Sequence, residues 1–473
     1  MSQADGLDIK YKEMTETPVR KLVWRLAIPS IISMTVTSVY NLVDAIYIGK
    51  LSTEATAGIG ISFAYMTIIQ AVGFFFGHGS GNHISRALGS KHREDASQMA
   101  SVGFFTPMII GVIMAFFCTI YITPLSIALG ATPDVVPFSN DYMRYIILAT
   151  PFMMSALTLN NQLRLQGNAR FGMIGIVSGA LLNIILDPLF IFTFKMGVTG
   201  ASLATAVSQF ISWSLLLWGT QRKESVHIHW KNFRPTWKCY NEIFRGGLPS
   251  LCRQTFNGAS AICLNHAAAY YASPGHEAST IAAFAVVSRV MMFAFSLVLG
   301  FSQGFQPVSG YNYGAHRFDR VRESYLYALK GCTIMLTVIS VIGLIFAPQI
   351  IMMFRSEDAE LVSIGARVLR WQCIAFPLVG LSTVTNMLFQ NIRMTFRSTI
   401  LSIGRQGLFF LPILFILPQF LGLKGVEMTQ AAADLCTFLL AIPYSIWINR
   451  ILKQKTNEQS SHYFPSHKPR HAK

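Results

Sequence analysis

Residues 172–194 read GMIGIVSGALLNIILDPLFIFTF, an apolar run broken by one carboxylate, Asp187. A helix rises about 1.5 Å per residue, so this run can cross a hydrocarbon core of about 30 Å. An acid inside it costs roughly 2.5–3.5 kcal/mol on insertion scales, and an acid kept at that cost marks an ion or substrate path by default. Asn183 stands four residues earlier on the same helix face, so a carboxamide and a carboxylate are presented together. A second acid, Asp44, lies in the apolar stretch Leu22–Ile48.

Reading outward from there, about twelve stretches have crossing length, the last being Gly425–Ile448. The chain has 473 residues, 52% hydrophobic and 13% charged, with a mean hydropathy of +0.44. A soluble domain carries about 25% charged residues. The expected fold is therefore an all-α polytopic membrane protein. The formal net charge is +16. Its placement argues against a nucleic-acid partner, because the basic residues crowd the even-numbered connections (Arg86, Lys91 and Arg93; Arg164 and Arg170; Arg317, Arg320 and Arg322; Arg393 and Arg397). The odd connections hold only Lys50, Lys195, Arg355 and Lys424. That bias puts both termini and the even loops in the cytoplasm. The first span is too long for a signal-peptide core. Seven scattered Cys without a C-x-x-C pair indicate neither a zinc site nor a disulfide framework. No nucleophile–base or metal-ligand motif suggests an enzyme.

The two halves repeat in the same order and direction. Ala27-Ile28-Pro29-Ser30 matches Gly247-Leu248-Pro249-Ser250, and Ala87-Leu88-Gly89-Ser90-Lys91 matches Asn312-Tyr313-Gly314-Ala315-His316. Pro188 pairs with Pro412, and Gly197 and Gly200 with Gly422 and Gly425. Six spans per unit keep the repeats parallel around a central cavity. The expected division is a cytoplasmic segment 1–20, an N-lobe 21–219, a cytoplasmic loop 220–242, a C-lobe 243–450 and a tail 451–473 without regular structure.

Counting along the helices gives depths. Asp44 falls about 7 Å from the outer end of its span, Asp187 about 10 Å from its own, and Thr205 about 10 Å below Gly197. Tyr142 lies near the outer end of the fourth span. Asp44, Asn183, Asp187, Thr205 and Tyr142 thus reach compatible heights in one half-bundle, and their oxygens suit a proton or a hard cation such as Na+. Pro29 and Pro188 each remove a backbone donor and bend an acid-bearing helix. Arg144, Arg253 and Arg289 are the candidate partners if the acids are merely structural. Glu427 is expected at the outer water interface, Asp434 in local hydrogen bonding within the second lobe, and His266 in packing.

Ile28-Pro29-Ser30 with Tyr40-Asn41-Leu42-Val43-Asp44, then Leu182-Asn183-Ile184-Ile185-Leu186-Asp187-Pro188, then Gln303-Gly304-Phe305-Gln306-Pro307 with Gly310-Tyr311-Asn312-Tyr313-Gly314-Ala315, resemble motifs of the multidrug and toxic compound extrusion (MATE) transporters over about residues 15 to 450. The subgroup most resembled includes the DNA-damage-inducible proteins. The resemblance implies a twelve-helix, two-lobe antiporter of a bacterial cytoplasmic membrane, monomeric and free of cofactors. It would export amphipathic, often cationic organic compounds in exchange for Na+ or H+. It also implies that Asp44, Tyr142, Asn183, Asp187 and Thr205 form the ion and proton network, and that Tyr40 and Asn160 lie near the drug cavity. The acids that another bacterial subgroup carries in the seventh and tenth spans are missing here, which puts a C-lobe cation site in doubt. A flippase for lipid-linked precursors, which needs a cation-rich cavity, is the alternative that Arg253, Arg289 and Arg405 keep open.

Overall fold

The computed structural model describes residues 3–48, 53–354 and 358–463. Gly49, Lys50, Arg355, His467 and His471 lie outside the described residues. The first half contains α1 (Gln3–Glu16), α2 (Val19–Ile48), α3 (Thr53–Gly89), α4 (Arg93–Ile120), the short α5 (Ile122–Ala128), α6 (Val136–Leu165), α7 (Ala169–Pro188) and α8 (Gly197–Thr220). The second contains α9 (Trp237–Tyr270), α10 (Glu277–Gly314), α11 (Phe318–Ile345), the short α12 (Ala347–Met352), α13 (Ala359–Ala375) continued by α14 (Val379–Asn391), α15 (Thr395–Ile403), α16 (Phe410–Leu421) and α17 (Leu423–Tyr463). Among the described residues 11 helical segments are long and apolar enough to cross a membrane. The remaining crossing is α9, whose 34 residues include Arg245, Arg253 and Glu242. The polytopic all-α fold is as expected.

The repeat reappears in backbone geometry. Lys91 and His316 end matched helices in the left-handed region, with φ of 61° and 56°. His92 N–H reaches back to Ala87 and Arg317 N–H to Asn312, each at 2.8 Å, closing equivalent helix ends with the same Schellman-type bond. Gly167 and Arg393 repeat the device at the next matched pair of helices, at φ of 84° and 66°.

Both ends of the described chain are helical, and for the tail this corrects the expectation. The segment before the first span folds as α1 and packs on the protein. Asn312 Nδ2 donates to Met14 O at 3.1 Å, Arg317 to Thr15 O at 2.8 Å, Arg25 pairs with Glu13, and Arg93 with Asp8. The segment after Arg450 is helical as far as Tyr463, and Gln459 donates to His316 O at 2.6 Å. Helix α1 and the end of α17 therefore dock on one face, the terminal face.

The lobes meet near that face through glycines. A β-carbon on Gly304 of α10 would lie 2.5 Å from Ala27 Cα of α2, and one on Gly300 2.5 Å from Ile31 Cα. Gly79 of α3 abuts Ile243 of α9, Gly247 of α9 abuts Phe75, and Gly89 abuts Tyr311. Backbones touch there because no side chain intervenes. Eleven residues beyond Gly247, on the same α9 face, Gly258 has nothing within 4 Å. Helix α9, packed on α3 at Gly246 and Gly247, therefore stands clear of it at the level of Gly258, and this gap is the cleft toward the opposite face.

Candidate functional site

Asp187 is the penultimate residue of α7 and is 0% exposed. Directly after Pro188 the helix widens into a π-helical turn, Leu189–Thr193. Proline lacks the N–H that would continue the α pattern, so the expected disruption takes the form of a π turn. One helical turn before the acid, Asn183 Nδ2 donates to Asp187 Oδ1 at 3.1 Å and lies 3.3 Å from Thr205 Oγ1 on α8. The Thr205 hydroxyl donates to Ala201 O at 3.0 Å. Asp44 reaches in from α2 to hydrogen-bonding range of Asp187. Tyr142, 2% exposed on α6, stands in the same relation to Thr205. The five residues that the sequence grouped are thus assembled from four helices.

Within this pocket Asp44 Oδ1, Asp187 Oδ2 and Asn183 Oδ1 are buried and have no hydrogen-bond partner. Neither acid has an ion pair among the described residues, so Arg144, Arg253 and Arg289 do not serve as its counter-charges. Two carboxyls in contact cannot both stay charged without a proton or a cation between them. Three orphaned oxygen acceptors fit either one. Tyr40 lies within electrostatic range of both acids, placing it beside this pocket. Asn160 is separate; it is 8% exposed, and its carboxamide oxygen faces Gly172 of α7.

Asp434 and Glu427 of the second lobe are satisfied internally. Asp434 accepts from Gln430 at 2.9 Å, the local bond expected, and also from Arg405 Nε at 2.8 Å. Arg405 is therefore committed to an acid and adds no free charge to a cavity. Glu427 departs from expectation. It is 1% exposed, covered by Arg367, whose Nη2 lies 2.9 Å away and whose side chain is itself 44% exposed.

Sequence reading missed the polar lock at the lobe contact. Glu242, at the start of α9 and 5% exposed, accepts from Arg86 Nη2 at 3.0 Å and pairs with Arg393. Its Oε2 also lies 3.2 Å from His83 Nδ1, while His83 Nε2 lies 3.2 Å from Asp95. Arg86 and His83 come from α3, so the cluster ties the two lobes. Next to it Arg164 of α6 bonds to Gln306 of α10 at 2.5 Å and to Asn161 at 2.7 Å. The available signal was the run Gly77-His78-Gly79-Ser80-Gly81, which lets helices approach α3 from two sides.

The family model MatE matches residues 29–189 and 270–416 of this chain. The multidrug export protein MepA of Staphylococcus haemolyticus is 26% identical over 446 residues, which are 93% of this chain and 97% of that protein. MepA of Staphylococcus aureus strain MSSA476 is 25% identical over 429 residues, covering 90% and 93%. Among solved structures, one described as the outward-facing conformation of a multidrug resistance MATE family transporter of the MOP superfamily superposes with a TM-score of 0.86. It has 26% identity, and the match covers 93% of this chain and 98% of that one.

Proposed function

The chain belongs to the MatE family of membrane transporters, and from that premise we propose that it is a multidrug efflux antiporter, exporting amphipathic organic compounds from a bacterial cytoplasm in exchange for Na+ or H+. In this reading residues 21–219 and 243–450 are the two lobes, the terminal face is cytoplasmic, and the molecule works as a monomer. The observation that carries the reading is the trio of buried, unpartnered oxygens on Asp44, Asn183 and Asp187. Three unpartnered acceptors with no internal cation suit a positive ion that binds and leaves.

Helix α2 supplies the coupling. It holds Asp44 near one end and the seam residues Ala27 and Ile31 near the other, with Pro29 between them. An ion that draws Asp44 toward Asp187 fixes α2 against α7, and losing the ion frees α2 to change its bend at Pro29. That motion reaches the α2–α10 contact directly. The cleft then opens on alternate faces, with cargo released outside as the ion enters.

The test is efflux in proteoliposomes under separately imposed Na+ and proton gradients. Asp44→Asn and Asp187→Asn are each expected to abolish gradient-dependent efflux while the protein still reaches the membrane. Efflux at the unmodified rate by both variants would remove the basis of the reading.

A further inference from the structure

The wall of the cleft carries two arginines that the ion site does not use. In α9 the seam residue Gly246 lies against Gly79. Seven residues further on, two helical turns at about 100° per residue, Arg253 occupies nearly the same face, about 10 Å above the seam. Its charge is felt at His78 and Arg164, both in the opposite lobe. In α10 the seam residue Gly300 lies against Ile31. Arg289 stands eleven residues earlier, three turns toward the open end, and returns to the face of Gly300 within about 20°. Arg253 is half-buried and Arg289 is exposed. Neither makes a hydrogen bond or ion pair among the described residues.

A cation at mid-depth with no partner is costly whether it faces lipid or a dry core, so its place is a water-filled path that a ligand shares. No Asp or Glu occurs between Gly247 and Tyr270 or between Thr280 and Gly300, so neither wall helix neutralises these charges. Arg164, in the seam below, has only neutral partners and adds to the positive potential. The acids of the ion site sit inside the first lobe. Beside the arginines the same faces offer Asn257, exposed, and Phe293, 44% exposed one turn from Arg289. The wall therefore pairs two guanidinium forks with a carboxamide and an aromatic ring.

We propose that the cleft recognises amphiphiles bearing an anionic group, a carboxylate or sulfonate, which Arg253 and Arg289 hold while the greasy body lies against Phe293. This rests on the transporter reading and narrows its cargo: purely cationic compounds are disfavoured beside these walls, and anionic or zwitterionic ones are favoured. A charge-assisted hydrogen bond distinguishes an anion from its neutral twin strongly, and bidentate pairing by Arg more so.

The test uses the purified full-length protein and two fluorescent probes that differ only in charge, dansyl-phenylalanine and its amide, with ethidium as the cationic comparison. Binding is followed by anisotropy. The unmodified protein is expected to bind the carboxylate roughly tenfold or more tightly than the amide. Arg253→Gln and Arg289→Gln are each expected to reduce that preference, and the double variant to abolish it, while the affinity for the amide is kept. Retained amide binding shows that the variants are folded. If the unmodified protein binds the twins equally, or the double variant keeps the preference, the anion assignment is overturned. If none of the three probes binds and none is moved by an imposed ion gradient, it is the transporter reading that fails.

Discussion

Substituting Glu242 by Gln tests the polar lock in quantitative terms. The carboxylate is 5% exposed and meets Arg86, Arg393 and His83. Arg86 is held in place by a second bond of 2.6 Å to Asn391 O, and its side chain is 13% exposed. Stripping a buried charge of its partner costs about 3–5 kcal/mol. The Gln oxygen still accepts one hydrogen bond, and the Arg393 side chain, 48% exposed, can turn to water. A net cost of about 2 kcal/mol remains. It falls only on the state in which the lobes touch at the terminal face, because Arg86 and His83 regain water once the lobes part. The equilibrium then moves about thirtyfold toward opening at that face. Spin labels at the exposed positions Glu94 on α4 and Phe396 on α15 report the separation across the seam. The distance distribution is expected to shift to longer values in Glu242→Gln and to return in Glu242→Asp. An unchanged distribution in a variant with unaltered thermal stability would show that the cluster does not hold the lobes together.

Removing residues 3–16 takes away the α1 contacts to Asn312 and Arg317 in one half and to Arg93 in the other; the same label pair should separate, with Na+ or proton binding at Asp187 unchanged by calorimetry. Gly304→Val places branched carbons where Ala27 Cα already stands 2.5 Å from a β-carbon, so closure at the terminal face should weaken by about 1–3 kcal/mol. Gly258→Val, with nothing within 4 Å, is the control, and equal label distances in the two variants would contradict the seam geometry. Arg405→Gln leaves Asp434, with a side chain 1% exposed, without its cation. Thermal unfolding should register a loss of about 3–5 kcal/mol, largely recovered by adding Asp434→Asn, and an unshifted transition would show that the pair is dispensable.

What could be read from the sequence was whatever acts along a single helix. The cost of dehydrating backbone and charge forces long apolar runs, so the crossings were visible one by one. Asn183 and Asp187 are four residues apart, and their bond is a consequence of helical pitch alone. The matched segments at Lys91 and His316 revealed the repeat because the same turn needs the same local sequence. Even the height of Thr205 followed from rise per residue.

Partnerships between helices did not follow. Glu427, two residues past Gly425, read as a residue at the water interface until α13 brought Arg367 against it. Arg86 and Arg393 counted only as positive charges of loops, although Glu242, more than 150 residues from either, draws both into one lock. Polar composition alone put the end of α17 among disordered segments, whereas packing on the terminal face holds it as a helix as far as Tyr463. By itself the sequence determined the membrane fold, the repeat and the pairing of Asn183 with Asp187, because hydration cost and helical spacing are local. Only tertiary structure decided which acids have a cation of their own and which do not, because that depends on how distant helices rotate and pack.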